Sequence, residues 1–441
     1  MKRLLLIGMI PLLMISCGGE KQSMKYDWNK DLHQRMLVDF PLKEAEVRAG
    51  IAHYIPHVTD SMMRVWEQSR ALEYKMIDGQ KRYFKQAVPN LFRIDSSCIA
   101  AKAAKVGPDV SDYYADDSIN IPAIISGVKA AKSPFAAPHK MRVKYTLSVK
   151  PDAVPAGEMI RCWMPVPRRD VARQKNVLIL SANGKYTLAP DSIYHASLYM
   201  EKKAEKEKPT VFEETFEFTA YGEWHNLKPE AVKPYNTTTD LYKKYTAERP
   251  PQIVFSERIR HLADSLTAGE NNPLLKARKI FTYIKRYPWA SSREYSTIDN
   301  IPEYVLDNGH GDCGQVSLLF ITLCRASGIP AHFQSGFMMH PHDKNLHDWS
   351  VIYIEGEGWI PVDQSFGFQP YAKTDEEHWF FVGGLDSWRL VVNQDYGMPL
   401  YPAKTYPRSE TVDFQRGEVE WNGGNLYFPQ WNYDYEITYL N

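Results

Sequence analysis

The clearest hydrophobic pattern in the chain has a period of two. Met141, Val143, Tyr145, Leu147 and Val149 alternate with polar residues, which predicts a strand with one face in a core and one face in water. Shorter β-biased stretches follow at 158–166, 176–180, 193–200 and 210–220. We interpret residues 139–235 as a β-sandwich domain.

Before this region the pattern is helical. Apolar residues at helical spacing predict a helix over 41–55, and Thr59 is suited to cap a second helix that carries apolar residues as far as Met76. Residues 18–138 are therefore predicted to form a mainly α-helical domain, with residues 133–138 as the linker that closes it.

Helical spacing returns near residue 259, and Asn272 and Pro273 suit the cap and first residue of a helix. A long loop is expected between Trp289 and Gly311. An apolar stripe at positions 316, 319, 320 and 323 then predicts a helix that stops at Gly328.

Asp312 is suited to the N-cap of this helix, which places Cys313 in its first turn. Free backbone N–H groups and the helix dipole stabilise an anion there, so the position is expected to lower the pKa of the thiol. Cys313 is the predicted nucleophile.

A nucleophilic thiol also needs a base and a group that orients the base. Residues 346–363 read as a β-hairpin, and a three-residue loop at 355–357 would set a register that puts His347 one diagonal step from Asp363 on the same face. A register slipped by one residue would separate the two. Asp348 should point to the opposite face and is not expected to be the orienting carboxylate.

Three ordered motifs over residues 240–370 resemble those of the transglutaminase-like superfamily of papain-related cysteine enzymes. They are Gly-x-Cys opening an apolar helix that ends Arg-Ala-x-Gly-Ile-Pro, then His-x-Trp-x-x-x-Tyr, then Gly-Trp-x-Pro-x-Asp. The resemblance implies that Cys313 is the nucleophile, His347 the general base and acid, and Asp363 the orienting carboxylate. It also implies an α+β fold with a papain/transglutaminase-like catalytic core over 236–375, on which a C-terminal β-rich extension, 376–441, would pack.

In that family an aromatic or amide side chain before the nucleophile helps to bind the oxyanion. Trp289 and Tyr287 are the candidates here, with a plain role as core aromatics as the alternative. The resemblance implies cleavage or transfer of amide bonds in a peptide or protein substrate, without a cofactor. A peptidase-like hydrolase is favoured; a cross-linking protein-glutamine acyltransferase and a non-catalytic module that binds peptide or glycan remain alternatives.

A zinc site is the main rival for the histidines of this region. His340 and His342 offer two imidazoles and His347 a third. Because the place of His347 beside Asp363 explains that residue better, no metal is expected.

The first residues indicate export. Lys2 and Arg3, an apolar run over 4–15 and Cys17 are typical of a signal peptide and resemble a bacterial lipobox, which predicts a lipoprotein signal over 1–17 and a lipid anchor on Cys17. An ordinary cleaved signal is the alternative. The protein is thus expected at the bacterial cell envelope, on its periplasmic or outer face.

An exported protein can form disulfides, which makes pairing of the remaining cysteines possible. Cys98 and Cys162 could pair, whereas Cys324 is expected to be a buried core thiol.

Composition removes one class of partner. The 441 residues contain 53 Lys and Arg against 53 Asp and Glu, so no overall positive field favours nucleic acid. With 44% hydrophobic residues the chain has ample material for several cores, and its oligomeric state stays open.

Overall fold

The computed structural model describes residues 26–440 and has an α+β architecture. The signal peptide and the lipidation site predicted at Cys17 lie outside the described residues. The helices are α1 (Trp28–Asp39), α2 (Glu44–Ala52), α3 (Asp60–Gln68), α4 (Ala87–Ile94), α5 (Ser96–Val106), α6 (Tyr113–Ala131), α7 (Asp240–Tyr245), α8 (Glu257–Thr267), α9 (Pro273–Ile284), α10 (Ile301–Asn308), α11 (Cys313–Ala326) and α12 (Asp375–His378).

The strands are β1 (Tyr74–Ile77), β2 (Gln80–Tyr83), β3 (Phe135–Val149), β4 (Met159–Pro165), β5 (Gln174–Ala182), β6 (Tyr186–Leu188), β7 (Ser197–Lys203), β8 (Thr210–Trp224), β9 (Ala331–Met339), β10 (Lys344–Ile354), β11 (Gly358–Val362), β12 (Gly384–Leu385), β13 (Arg389–Gln394), β14 (Glu418–Trp421), β15 (Gly424–Asn425) and β16 (Trp431–Leu440). The alternating pattern at 141–149 is thus confirmed as one long strand, β3.

The N-terminal helices form two packing groups. Helices α2 to α5 enclose a core of their own, whereas α6 packs on β3, and its buried side chains join the core of the catalytic region. The helix predicted from Thr59 to Met76 is too long. It ends at Gln68, because Arg70 adopts a positive φ angle that a helix cannot continue through. Asp78 and Gly79 also have positive φ angles and close a tight hairpin between β1 and β2.

Two five-stranded sheets form the β-sandwich, in the orders β12-β8-β3-β16, with β5 also on β8, and β15-β14-β4-β7-β6. The C-terminal strands complete these sheets, since β16 pairs along β3 and β14 pairs with β4. The prediction that 376–441 packs on the catalytic core as one extension is therefore wrong for its last strands. Among the described strands of this segment, β13 joins the core sheet by pairing with β9.

The region predicted to be catalytic contains a four-stranded antiparallel sheet, β11-β10-β9-β13, against which α11 packs. Helices α8, α9 and α10 surround α11. The long loop expected before Gly311 in fact contains α10, whose first turn is capped by Asn300 and carries Pro302. Helix α11 is buried along most of its length, which fixes its first turn firmly in the protein.

The three remaining cysteines lie in different cores. Cys98 is buried among the N-terminal helices, Cys162 in the sandwich and Cys324 on α11 in the catalytic core, and all three are free thiols. The pairing of Cys98 with Cys162 considered above does not occur. In the range 26–440, no helix has both the length and the apolar character that crossing a membrane requires.

Candidate active site

Cys313 is the first residue of α11, as the sequence predicted. The Asp312 side chain accepts a hydrogen bond from the Gln315 backbone N–H (3.0 Å), and the Gln315 side chain accepts one from the Asp312 N–H (3.1 Å). This reciprocal capping box ends the extended backbone at Asp312 and starts the helix at the cysteine. The thiol is consequently held at a fixed point beside β10.

The hairpin has the register that a three-residue loop predicts. Ile354 pairs with Gly358, and Ser350 pairs with Val362, so Asp363 follows directly after the paired part of β11. His347 Nε2 lies 2.8 Å from Asp363 Oδ2, and both side chains are buried. This contact leaves Nδ1 of His347 as the ring nitrogen available to other groups.

Asp363 is held as an anion by more than the imidazole. Its Oδ1 accepts a hydrogen bond from the Phe366 N–H (3.0 Å), and its Oδ2 lies 2.9 Å from Arg389 Nη1. Burial by itself would raise the pKa of Asp363, but His347 and Arg389 outweigh burial and lower that pKa. Burial lowers the pKa of His347 in turn, and Asp363 offsets this only in part.

Arg389 connects Asp363 to a second buried group of charges. Its Nε lies 2.6 Å from Asp386 Oδ2, and Asp386 and Asp117 both approach His340 Nε2, at 3.4 Å and 3.1 Å. No local pattern in the sequence indicated this contact, because Arg389 lies on β13, a strand that reaches the site through pairing with β9.

The zinc set considered for this region does not assemble. His347 contacts Asp363, His342 Nδ1 contacts Asp116 at 2.7 Å, and His340 contacts Asp117 and Asp386. The atoms of Asp117, His340 and Asp386 lie within 4.8 Å of one another, a spacing that a metal ion could use.

The trio also belongs to a buried network of charges. Burial tends to lower the pKa of His340, but Asp386 and Asp117 outweigh burial and raise it. Asp386 has a pKa of about 2, because Arg389, His340 and Arg173 more than offset the effect of burial. Together with Arg389, the trio forms a buried ion-pair network.

Asp348 occupies a place that the sequence did not indicate. It does not orient His347; its Oδ2 lies 3.4 Å from Cys313 Sγ, while its Oδ1 accepts a hydrogen bond from Gln415 Nε2 (2.7 Å). The space beside the thiol is tightly filled, because a Cβ atom added at the neighbouring Gly314 would lie 2.6 Å from Asp348 Oδ2 and would clash with the Tyr295 hydroxyl.

Burial and the nearby carboxyl groups reverse the lowering of the Cys313 pKa that its place at the helix terminus predicts. Burial raises the pKa of the thiol well above its ordinary value, and Asp348 and Asp312 raise it further. Burial and neighbouring carboxyl groups likewise raise the pKa of Asp348 well above its usual range and that of Asp312 to about 7. The sequence predicted the position of the thiol correctly. It did not predict the direction of its pKa shift, which depends on desolvation and on the approach of Asp348.

Cys313 and His347 both line a cleft of about 640 Å³. Phe366 and Met338 line it on the side of the catalytic core. Another part of its lining comes from α4, α5 and the start of α6, with Arg93, Ile99, Lys102 and Tyr113 among its residues. The N-terminal helical region, whose purpose the sequence did not reveal, thus supplies one wall of the candidate active site.

The two oxyanion candidates lie in different places. Trp289 lines the cleft, is 45% exposed, and pairs through its backbone with Gly311, two residues before the cysteine. The Tyr287 hydroxyl lies 2.9 Å from that of Tyr283 in a separate depression. Of the two, only Trp289 is brought to the cleft.

Comparison with known proteins identifies the central region. A family model described as the transglutaminase-like superfamily matches residues 260–364. The chain is 24% identical to the uncharacterised protein YebA of Bacillus subtilis over 136 residues, which are 26% of this chain and 18% of that protein. It is also 24% identical to an uncharacterised protein of Haemophilus influenzae over 168 residues, 33% of this chain and 44% of the relative. The matches therefore span less than half the length of these curated relatives.

Two solved structures are similar at low sequence identity. A candidate cysteine protease from Cytophaga hutchinsonii is 14% identical with a TM-score of 0.45, covering 70% of this chain and 92% of that one. The periplasmic domain of TgpA from Pseudomonas aeruginosa is 13% identical with a TM-score of 0.27, covering 55% and 92%.

Proposed function

We propose that the protein is a cell-envelope cysteine enzyme that hydrolyses amide bonds through a thioester on Cys313. The match of residues 260–364 to the family model of the transglutaminase-like superfamily supports this. One observation carries this proposal. Cys313 and His347 line the same cleft, and Asp363 occupies the Nε2 side of the imidazole, 2.8 Å away. A nucleophile, a base and a group that orients the base are the parts that acyl transfer requires.

The proposed reaction starts from neutral partners. The raised pKa of Cys313 and the lowered pKa of His347 favour a thiol and an uncharged imidazole over an ion pair. His347 Nδ1 removes the thiol proton as sulfur attacks the substrate carbonyl carbon, and Asp363 stabilises the imidazolium that forms. The Cys313 backbone N–H and Trp289 Nε1 would donate to the oxyanion. Asp363 thus acts at the moment when positive charge develops on His347.

Collapse of the tetrahedral intermediate breaks the C–N bond. His347 Nδ1 gives its proton to the leaving amine, and the acyl group remains on Cys313 as a thioester. Water, deprotonated by the same nitrogen, then releases the acid and restores the thiol. Transfer to a second amine would require the exclusion of water. The partial exposure of Trp289, which lines the same cleft as Cys313, supports hydrolysis as the favoured outcome.

The placement at the cell envelope is the part of the proposal that rests on sequence alone. It depends on the predicted signal over 1–17 and the predicted lipid anchor on Cys17. Radiolabelled palmitate incorporated by cells expressing the protein, and lost in Cys17→Ser, is the expected result.

Alkylation tests the active-site proposal without a known substrate. Purified protein is treated with iodoacetamide across pH, and the modified cysteines are identified by peptide mapping. We expect Cys313 to react well ahead of the three buried cysteines, and His347→Ala to slow that reaction. His342→Ala is the matched control, because His342 is largely exposed and pairs with Asp116 outside the cleft. Equal rates in the two histidine variants would refute the assignment of His347.

Activity on a mixed peptide library supplies the second readout. Cleavage that disappears in Cys313→Ser and persists in Cys324→Ser is expected of the proposed hydrolase. Products that carry an added primary amine in place of new carboxyl ends would instead support the acyltransferase.

A further inference from the structure

One arginine in the cleft has a free hydrogen-bonding edge. Arg93, near the end of α4, lines the same cleft as Cys313. Its Nη1 donates to Ser291 Oγ at 3.3 Å and is 3.5 Å from Asn90 Oδ1, and both acceptors are uncharged. Among residues 26–440 no partner is found for its Nε and Nη2 atoms, which form one of the two edges that a guanidinium offers to a carboxylate.

The guanidinium is held in a fixed orientation. It lies over the Trp289 ring, with 4.8 Å between the Arg93 Cζ atom and the ring centroid. Stacking of this kind leaves the edge of the guanidinium free to donate in its own plane. Trp289 pairs with Gly311 just before the nucleophile, so Arg93 is fixed to the part of the cleft wall that leads to Cys313.

The other cation of this wall is already neutralised. Lys102 Nζ lies 2.6 Å from Asp109 Oδ2, whereas in the described part of the chain Arg93 has no carboxylate within 4.0 Å. Arg389, which is more deeply buried, has such partners in Asp363 and Asp386. Arg93 is also half desolvated, which lowers its pKa and strengthens its attraction for an anion.

We propose that Arg93 binds a carboxylate of the substrate, so that the enzyme acts on peptides with a carboxylate close to the amide bond that is cleaved. The carboxylate is either an acidic side chain or a free C-terminus, which share this chemistry. The inference rests on the proposed function, because it assigns the substrate class of the same cleft. The Nε–Nη2 edge of Arg93 would donate to the carboxylate, while Nη1 donates to Ser291 and Asn90.

The rate ratio of two alkylating agents tests the proposal directly. Iodoacetate carries a carboxylate and iodoacetamide does not, and both alkylate the same thiol. We expect Arg93→Gln to lower the iodoacetate-to-iodoacetamide rate ratio at Cys313 by about three- to tenfold, and Arg93→Lys to keep most of it. Lys102→Gln combined with Asp109→Asn is the control, because it removes both charges of an ion pair and leaves the net charge of the cleft unchanged, and it should change the ratio less than Arg93→Gln does.

The outcomes separate this inference from the proposed function. An unchanged ratio in Arg93→Gln, with iodoacetamide still reacting at Cys313 in a His347-dependent way, overturns the anion site and leaves the enzyme assignment intact. A loss of His347 dependence would instead count against the enzyme itself. A lowered ratio with an unchanged iodoacetamide rate supports the proposal, since a folding defect would change both rates.

Paired peptides then identify which carboxylate is bound. One pair differs by Glu against Gln beside the cleaved bond, and the other by a C-terminal acid against an amide. The preferred acid should lose about ten- to hundredfold in kcat/KM in Arg93→Gln, mainly through KM, while its neutral partner is unaffected. Wild-type enzyme that cleaves both members of both pairs equally would overturn the proposal.

Discussion

Replacing Arg389 by methionine should destabilise the protein through two carboxylates at once. The guanidinium lies 2.9 Å from Asp363 Oδ2 and 2.6 Å from Asp386 Oδ2, and none of the three side chains is exposed to solvent. Methionine has a similar length but no charge, so Arg389→Met tests the ion pairs and leaves much of the packing against Phe366 in place.

The magnitude follows from what remains after the change. Removing one partner of a buried ion pair costs about 3–5 kcal/mol, because the other partner keeps its desolvation penalty. Asp386 would retain His340 at 3.4 Å, and Asp363 would retain His347 at 2.8 Å and the Phe366 N–H. These remaining contacts offset part of the loss, so we expect a decrease of about 3 kcal/mol in the free energy of unfolding, at the lower end of that range.

Urea unfolding followed by tryptophan fluorescence measures this change. Trp349 is a suitable reporter because it is buried and close to Arg389. Arg258→Met is the control, since Arg258 and Asp307 are about half exposed and such a pair contributes at most about 1 kcal/mol. A midpoint shift in Arg389→Met no larger than that of the control, at an unchanged m value, would refute the reasoning.

Three further predictions concern the carboxyl groups around the thiol. Asp348→Asn should move the alkylation profile of Cys313 to lower pH, because it removes a carboxyl group 3.4 Å from the thiol whose negative charge raises the thiol pKa. Gly314→Ala should lower both the unfolding midpoint and the alkylation rate, because its new methyl group would meet the Tyr295 hydroxyl at 2.3 Å. Burial raises the pKa of Asp413 to about 7, so the folded state holds this proton more tightly than the unfolded state does. The folded state therefore loses stability as pH rises from about 4 to 7. Asp413→Asn should remove this pH-dependent loss, so the unfolding midpoint of the variant should rise relative to that of wild type across the same pH range.

The first two of these variants have matched controls elsewhere in the protein. Asp343→Asn removes a carboxyl group that lines the cleft and has no recorded contact with the thiol within residues 26–440, so it should shift the alkylation profile less than Asp348→Asn does. Gly184→Ala adds a methyl group at ordinary contact distances of 3.4 Å and should be tolerated. A midpoint difference between Asp413→Asn and wild type that stays flat from pH 4 to pH 7 would contradict the raised pKa.

Local chemistry allowed the sequence to predict the elements that carry the nucleophile and its base. A capping aspartate, an apolar stripe and a terminal glycine together set where α11 begins and ends, because helix capping and periodicity involve residues only a few positions apart. The three-residue loop at 355–357 fixed the register of β10 and β11 in the same way, and with it the contact between His347 and Asp363. The α+β class was implied by the resemblance of the three motifs to the transglutaminase-like superfamily, and the structure confirms it.

Only the tertiary structure decided the environment of these residues. Asp348, Arg389 and Gln415 reach the site through strand pairing and loop packing, and the helical region supplies a wall of the cleft from more than 200 residues earlier in the chain. Long-range pairing also decided the place of β16. This strand pairs with β3 and so completes the sandwich, although the catalytic core precedes it in sequence. A pKa depends on burial and on charges a few ångströms away, and neither is encoded by spacing along the chain. The sequence thus determined which residues could do the chemistry, and long-range packing determined the protonation states from which they start.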